Sequence, residues 1–181
     1  GPGPVSSPAT AKPRTVPQAP TNVEAVTGDL QATVSWQAPS VQGGTAITSY
    51  TVTANPGGQT TIVNAPFGSL ITAVVTGLTN GVAYKFTVMA ANDAGNGQPS
   101  VLSSPAIVPY GLPFAPTNVQ AAAGNAQATV TWSAANTNGS VIINYIVTAN
   151  PPNPSGPKTV PGIELTVTFT DLANGVAYRF T

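Results

Sequence analysis

The chain repeats itself, and that constrains its fold more than any other feature. Ala19-Pro-Thr-Asn-Val23 returns as Ala115-Pro-Thr-Asn-Val119, and Gln31-Ala-Thr-Val-Ser-Trp36 returns as Gln127-Ala-Thr-Val-Thr-Trp132, both 96 positions on. Thr53-Ala-Asn-Pro56 returns 95 positions on as Thr148-Ala-Asn-Pro151, and Asn80-Gly-Val-Ala-Tyr84 returns 94 on as Asn174-Gly-Val-Ala-Tyr178. Self-similarity at a fixed period means one folding unit used twice in tandem. The slippage of one or two residues falls in turn-rich stretches, where changes of length are tolerated.

Within each copy the apolar residues recur with period two. Ala32, Val34 and Trp36 alternate with Thr33 and Ser35; Tyr50, Val52 and Ala54 alternate with Thr51 and Thr53; Tyr84, Phe86, Val88 and Ala90 follow the same rule. Alternation among β-branched and aromatic residues marks half-buried strands. Gly28-Asp29, Gly43-Gly44, Pro56-Gly57-Gly58, Asn80-Gly81 and Gly95-Asn-Gly97 are turn signals between them. The 19 prolines work against any long helix. Short strands at this spacing predict an all-β antiparallel sandwich in each copy.

Composition narrows the partners. Charged residues are only 6% of the 181, against about a quarter in an average soluble protein. The five cations and five anions are scattered and cancel. No dense basic patch exists, so neither nucleic acid nor an anionic membrane surface is an expected partner. No apolar run approaches the roughly 20 residues of a membrane span. With 41% hydrophobic residues and no net charge, the composition is not that of a disordered chain. Its surface is made of Thr, Ser, Asn, Gln and Gly, and a neutral surface has little like-charge repulsion to keep copies apart. Such a surface suits packing against copies of itself or carriage of sugars; compositional drift in a secreted protein is the plainer alternative.

At its alternating core residues the chain resembles a fibronectin type III domain, twice, in the form found in secreted bacterial proteins. Trp36 and Tyr50 match that family's strand-B tryptophan and strand-C tyrosine, and Leu78 with Tyr84 matches its corner between strands E and F. Trp132, Tyr145, Leu172 and Tyr178 repeat the set in order. The resemblance implies tandem immunoglobulin-like β-sandwiches, the second lacking its last strand, with these eight side chains in the two cores. It places seven strands in the first domain, near 19–26, 31–37, 48–55, 59–64, 70–76, 83–91 and 99–108. The expected organisation is a Pro-rich segment over 1–15, a complete domain over 16–109, a link over 110–114 and a second domain over 115–181 that ends within strand F.

The ends of the chain match each other. Extending the 96-residue offset backwards sets Gly1 on Gly97, Val5 on Val101, Ser7 on Ser103 and Pro13 on Pro109. Residues 1–13 therefore read as strand G of a preceding domain, with Val5, Ser7, Ala9 and Ala11 as candidate strand-donor positions; an ordinary Pro-rich linker is the alternative. Either the sequence is a window on a longer tandem array, or the N-terminal segment of one molecule completes the second domain of the next.

Candidate chemical sites are few. There is no His and no Cys, which removes most catalytic triads, zinc sites and disulfides. Glu24, Asp29 and Asp93 fall on separate predicted elements and are not expected to converge as a carboxylate pair, so no catalytic residue and no enzyme activity is predicted. No cofactor and no metal are predicted either: Asn92, Asp93 and Asn96 offer oxygens in one loop, but turn chemistry explains them more simply. Asn138-Gly-Ser140 is a candidate N-glycosylation site, and exposed Thr and Ser are candidates for O-linked sugar. Trp36 and Trp132 would stack sugars only if exposed, and their phase points inward.

The resemblance then implies a secreted or cell-surface module that is non-catalytic, structural and adhesive. Its partners would be copies of itself or neighbouring repeats, with surface polysaccharide as a further candidate. Spacer domains of a secreted polysaccharide-degrading enzyme, or accessory domains of a phage tail protein, are the alternatives.

Overall fold

The computed structural model describes residues 1, 3, 7, 10–64 and 70–181. They form two compact units, Gly1–Pro109 and Tyr110–Thr181, and contain no helix.

The first unit has seven strands: β1 (Thr21–Gly28), β2 (Gln31–Gln37), β3 (Ile47–Asn55), β4 (Thr60–Asn64), β5 (Leu70–Thr76), β6 (Lys85–Asn92) and β7 (Gly95–Pro99). Two antiparallel sheets, β1-β2-β5 and β4-β3-β6-β7, enclose one core. The period-two pattern fixes which residues point in. Ala32, Val34 and Trp36 on β2 meet Val75, Ala73 and Ile71 on β5, while Tyr50, Val52 and Ala54 on β3 lie opposite Ala90, Val88 and Phe86 on β6. Burying each Val or Phe of this set contributes about 1.5–3 kcal/mol.

Two recurring sequence signals gain a physical reason here. Asn22 and Asn118 both adopt φ 53, at the register shift near the start of the first strand of each unit. Asn enters that left-handed region at less cost than other non-glycine residues. The Asn of each Asn-Gly-Val-Ala-Tyr stretch supports a distant turn. Asn80 Oδ1 accepts from the Leu30 amide at 2.9 Å, and its Nδ2 donates to Asp29 Oδ1 at 2.7 Å. Asn174 does the same for Ala126 and Asn125, at 2.9 Å each. Leu30 and Ala126 carry φ 56 and 53, and these bonds help to hold them there.

The strand expected over 99–108 differs from that observed. Ladder pairing with β6 covers Gly95–Pro99, with a register shift between Met89 and Ala91. Beyond it the chain follows β6 through single residues. Ser100 donates its amide to Val88 O at 2.8 Å and accepts from Val88 N at its Oγ, at 2.9 Å. Ser103 treats Phe86 the same way, at 2.8 and 3.0 Å. Ile107 then exchanges two backbone bonds with Tyr84, at 2.8 and 2.9 Å. Pro99 and Pro105 cannot donate, and this segment is longer than the stretch of β6 it covers, so a one-to-one ladder is impossible. Two serine hydroxyls supply the acceptors that the ladder would have supplied. The first and sixth strands are also displaced, from 19–26 to Thr21–Gly28 and from 83–91 to Lys85–Asn92.

The second unit repeats the layout with β8 (Thr117–Gly124), β9 (Gln127–Ser133), β10 (Asn144–Val147), β11 (Ala149–Asn150), β12 (Lys158–Pro161), β13 (Thr166–Thr170) and β14 (Arg179–Phe180). One sheet is β13-β9-β8; β10 pairs with β12 and β11 with β14. Val130, Trp132, Tyr145, Val147, Val160 and Phe169 form its core. In the first unit β1 packs on β6, and Val23 is 8% exposed. Its counterpart Val119 is 47% exposed.

Candidate functional site

The residues read as core lie as follows. Trp36 is 0% exposed and Trp132 7%, so neither offers a face to a ligand. Each packs against its tyrosine at a ring-centroid distance of 5.4 Å, Trp36 on Tyr50 tilted by 58° and Trp132 on Tyr145 by 65°. Burial pushes the Tyr50 phenol above its ordinary pKa of 10.0. The Tyr145 hydroxyl accepts from the Ala135 amide at 3.2 Å. Leu78 and Leu172 are buried. The Tyr84 and Tyr178 hydroxyls accept from the amides of Thr79 and Ala173, at 3.1 Å each; Tyr84 is buried and Tyr178 half-buried.

The carboxylates are scattered. Glu24 is exposed on β1, Asp29 is bonded to Asn80, and Asp93 lies 3.7 Å from Arg14. Both side chains of that ion pair are more than half exposed, so it contributes little. Among the described residues no group of three or more His, Cys, Asp or Glu is placed to hold a metal. The Asn92 amide is committed elsewhere. Its Oδ1 accepts from the Ala94 amide at 2.8 Å, and its Nδ2 donates to Thr15 O at 2.9 Å and Gln42 O at 2.7 Å.

That last contact is the centre of the most organised feature outside the core. Residues 13–18 precede the sandwich and are clasped by two of its loops. Thr15 donates to Gly43 O at 2.9 Å and Gln18 to Val41 O at 3.0 Å. A Cβ on Gly43 or Gly97 would collide with the backbone of Thr15 or Pro17, so close approach requires glycine both at Gly43 in its loop and at Gly97 on β7. The same clasp recurs in the second unit. Gly111 donates to Asn138 O at 2.9 Å and Phe114 to Asn136 O at 3.0 Å. Residues 111–114, read from the sequence as a link, are thus bound to the unit that follows them. The Pro109 carbonyl accepts from Gly81 of the first unit at 2.9 Å. One residue, Tyr110, lies between the two sets of bonds.

In the second unit the candidate glycosylation site itself supplies the clasp. Asn138 Nδ2 donates to Leu112 O at 3.0 Å, and Ser140 Oγ donates to Gly111 O at 2.6 Å. Asn138 sits at φ 49, in a turn, with its amide engaged. Of the candidate strand-donor residues, Val5 and Ala9 lie outside the described residues; Ser7 and Ala11 are exposed. Sequence reasoning missed the clasp. Its one visible signal was the match of Pro13 and Pro17 to Pro109 and Pro113.

Comparison with known proteins places the family. Residues 18–105 and 114–181 each match the fibronectin type III domain. The chain is similar to the chicken CNTN1 FN1-FN3 domains, with 18% identity, a TM-score of 0.43, and coverage of 92% of this chain and 62% of that one. It is similar to titin kinase with its flanking domains, at 28% identity and a TM-score of 0.42, covering 51% of this chain and 17% of that one. The twitchin kinase region from C. elegans is 24% identical over 52% of this chain and 17% of that one, with a TM-score of 0.43. The chain spans less than two thirds of each of these structures.

Proposed function

Because the chain belongs to the fibronectin type III family, whose domains are commonly non-catalytic structural or adhesive modules, we propose that it is an extracellular module of that kind. It is one stretch of a tandem array that forms or decorates a filament, sheath or cell-surface fibre. The observation that carries this reading is the repeated clasp. Each sandwich binds the extended segment that leads into it, through the same two backbone bonds, and a single residue separates the last bond of one unit from the first bond of the next. Each unit thus holds its own lead-in segment in defined contacts. The neutral Thr- and Ser-rich surface favours lateral contact with copies of itself, with neighbouring repeats, or with surface polysaccharide.

The test is immunogold labelling of the native source with antibodies raised against residues 1–181, together with the intact mass of the labelled polypeptide. The expected result is label on extracellular fibres or on the cell surface, and a mass well above 18.1 kDa. Label confined to the cell interior, or co-purification with a polysaccharide-degrading activity, would overturn it.

A further inference from the structure

An Asn followed by Gly can modify its own backbone. With no side chain on the second residue, its nitrogen is free to close on the Asn side-chain carbonyl carbon. The sequence contains four such pairs, at Asn80, Asn96, Asn138 and Asn174. Their surroundings differ. Asn80 and Asn174 accept from the amides of Leu30 and Ala126 at Oδ1 and donate from Nδ2 to Asp29 and Asn125. Asn138 donates from Nδ2 to Leu112 O at 3.0 Å. Each of these three side chains must give up hydrogen bonds before its Cγ can turn to the next nitrogen. Asn96 is exposed, and among the described residues its side chain takes part in no hydrogen bond.

The backbone at Asn96 is held on one side only, because β7 is the outermost strand of its sheet. Its register with β6 runs from Asn96 opposite Ala91 to Pro99 opposite Met89, so Gly97 and Gln98 share the single partner Ala90. That is a bulge, where the ladder is locally interrupted. Gly97 is also a point of closure for the clasp. It is buried, and a Cβ on it would collide with the Pro17 carbonyl. Val16 Cγ1 lies 3.6 Å from the place a Cβ on Gly95 would take. The backbone on both sides of Asn96 is therefore fitted against Val16 and Pro17 with no atom to spare.

We propose that Asn96 is a self-modification site, deamidating with water as the co-reactant, and that the isoaspartate it forms loosens the clasp on Val16 and Pro17. Solvent base removes the Gly97 amide proton. The nitrogen attacks Asn96 Cγ, the Cγ–Nδ2 bond breaks, and ammonia leaves with a proton from water. The five-membered imide then takes up one water. Opening at Cγ gives aspartate with the backbone unchanged. Opening at the main-chain carbonyl gives isoaspartate, in which the chain runs through Cβ and Cγ. The net change is amide plus water to carboxylate plus ammonium. Isoaspartate adds one methylene to the main chain directly before Gly97, where the Pro17 carbonyl leaves no room even for a Cβ. Gly97 is then displaced from Pro17, and the clasp cannot close as before. Because Gly97 is buried, ring closure waits on local opening of the β7 end. Opening of the clasp and modification of Asn96 therefore promote each other.

The experiment incubates the folded 181-residue chain in mildly alkaline buffer, beside the same chain in urea, and follows each Asn-Gly pair by peptide mapping with mass spectrometry. In urea the four pairs should convert at similar rates. In the folded chain Asn96 should convert at least about tenfold faster than Asn80, Asn138 or Asn174, and Asn92→Ala should raise its rate several-fold by loosening the clasp. Aged chains should be cut by trypsin at Arg14–Thr15 several-fold faster than fresh ones. Fresh Asn96→Asp carries the new charge without the added methylene and should be cut at the parent's rate. Asn96→Gln, aged in parallel, should also keep that rate. Folded-state conversion at Asn96 no faster than at the other three pairs, or indifferent to Asn92→Ala, would overturn the assignment of the site. Aged chains cut no faster than fresh ones, or matched by fresh Asn96→Asp or by aged Asn96→Gln, would overturn its effect on the clasp.

Discussion

Ser103→Ala isolates the step by which a proline-bearing segment is held to β6 without a ladder. Ser103 is 1% exposed, and its Oγ is the acceptor for the Phe86 amide at 3.0 Å. The reciprocal bond, from the Ser103 amide to Phe86 O, survives the substitution. What is lost is one acceptor facing a donor that water cannot reach. An unsatisfied buried N–H costs about 1–3 kcal/mol, and removing one oxygen opens little space, so a loss of about 2 kcal/mol is expected. For a unit of this size, that shifts Tm by roughly 10 °C. The assay is urea unfolding followed by Trp36 emission in a Trp132→Phe background, so that the first unit alone reports. The midpoint should fall at unchanged m. Ser104 is the neighbouring control: it is exposed, and Ser104→Ala should stay within about 0.5 kcal/mol of the parent. If the two alanine variants unfold at the same urea concentration, the hydroxyl is not replacing a ladder acceptor and the account of this edge is wrong.

Two further outcomes are expected. Asn92→Ala removes one acceptor and two donors at a site 6% exposed, so the clasp should loosen before the sandwich unfolds; trypsin cleavage at Arg14–Thr15 should accelerate several-fold, and a rate equal to the parent's would refute the clasp. The pH dependence follows from Tyr50, whose folded-state pKa is raised by burial. Above about pH 10 the unfolded chain loses this proton first, so the contribution is complete below that value and declines as pH rises towards the folded pKa, by at most about 1.4 kcal/mol per pH unit. Urea midpoints from about pH 8.5 to 11 should fall less steeply for Tyr50→Phe, and an identical fall in both proteins would exclude Tyr50 as the cause.

How much was legible in advance depended on the range of the interaction concerned. The strands β2 and β5 fall where the alternation of Ala32, Val34 and Trp36, and the predicted span 70–76, placed them. Inward phase is a property of neighbours in sequence, and one face of each strand had to be buried. The recurrence of the whole pattern made the tandem arrangement legible as well. The last strand of the first unit was not, because two serines and two prolines look alike in an exposed loop and at an edge. Their role depends on β6 lying alongside, and Ser103 and Phe86 are separated by 17 positions.

The candidate site divides in the same way. Asn92 reads as a turn residue from its neighbours Asp93, Ala94 and Gly95, and it does make a turn bond to Ala94. Its other two bonds reach Gln42, 50 positions away, and Thr15, 77 positions away. A twice-repeated, charge-poor β-sandwich chain without His or Cys is legible from the residues alone, since composition and period-two patterning act locally and add along the chain. Tertiary packing alone specifies that each sandwich clasps the segment leading into it and that Asn138 and Ser140 serve that clasp. Those features depend on where unsatisfied backbone groups from distant segments meet, and only the completed fold specifies that.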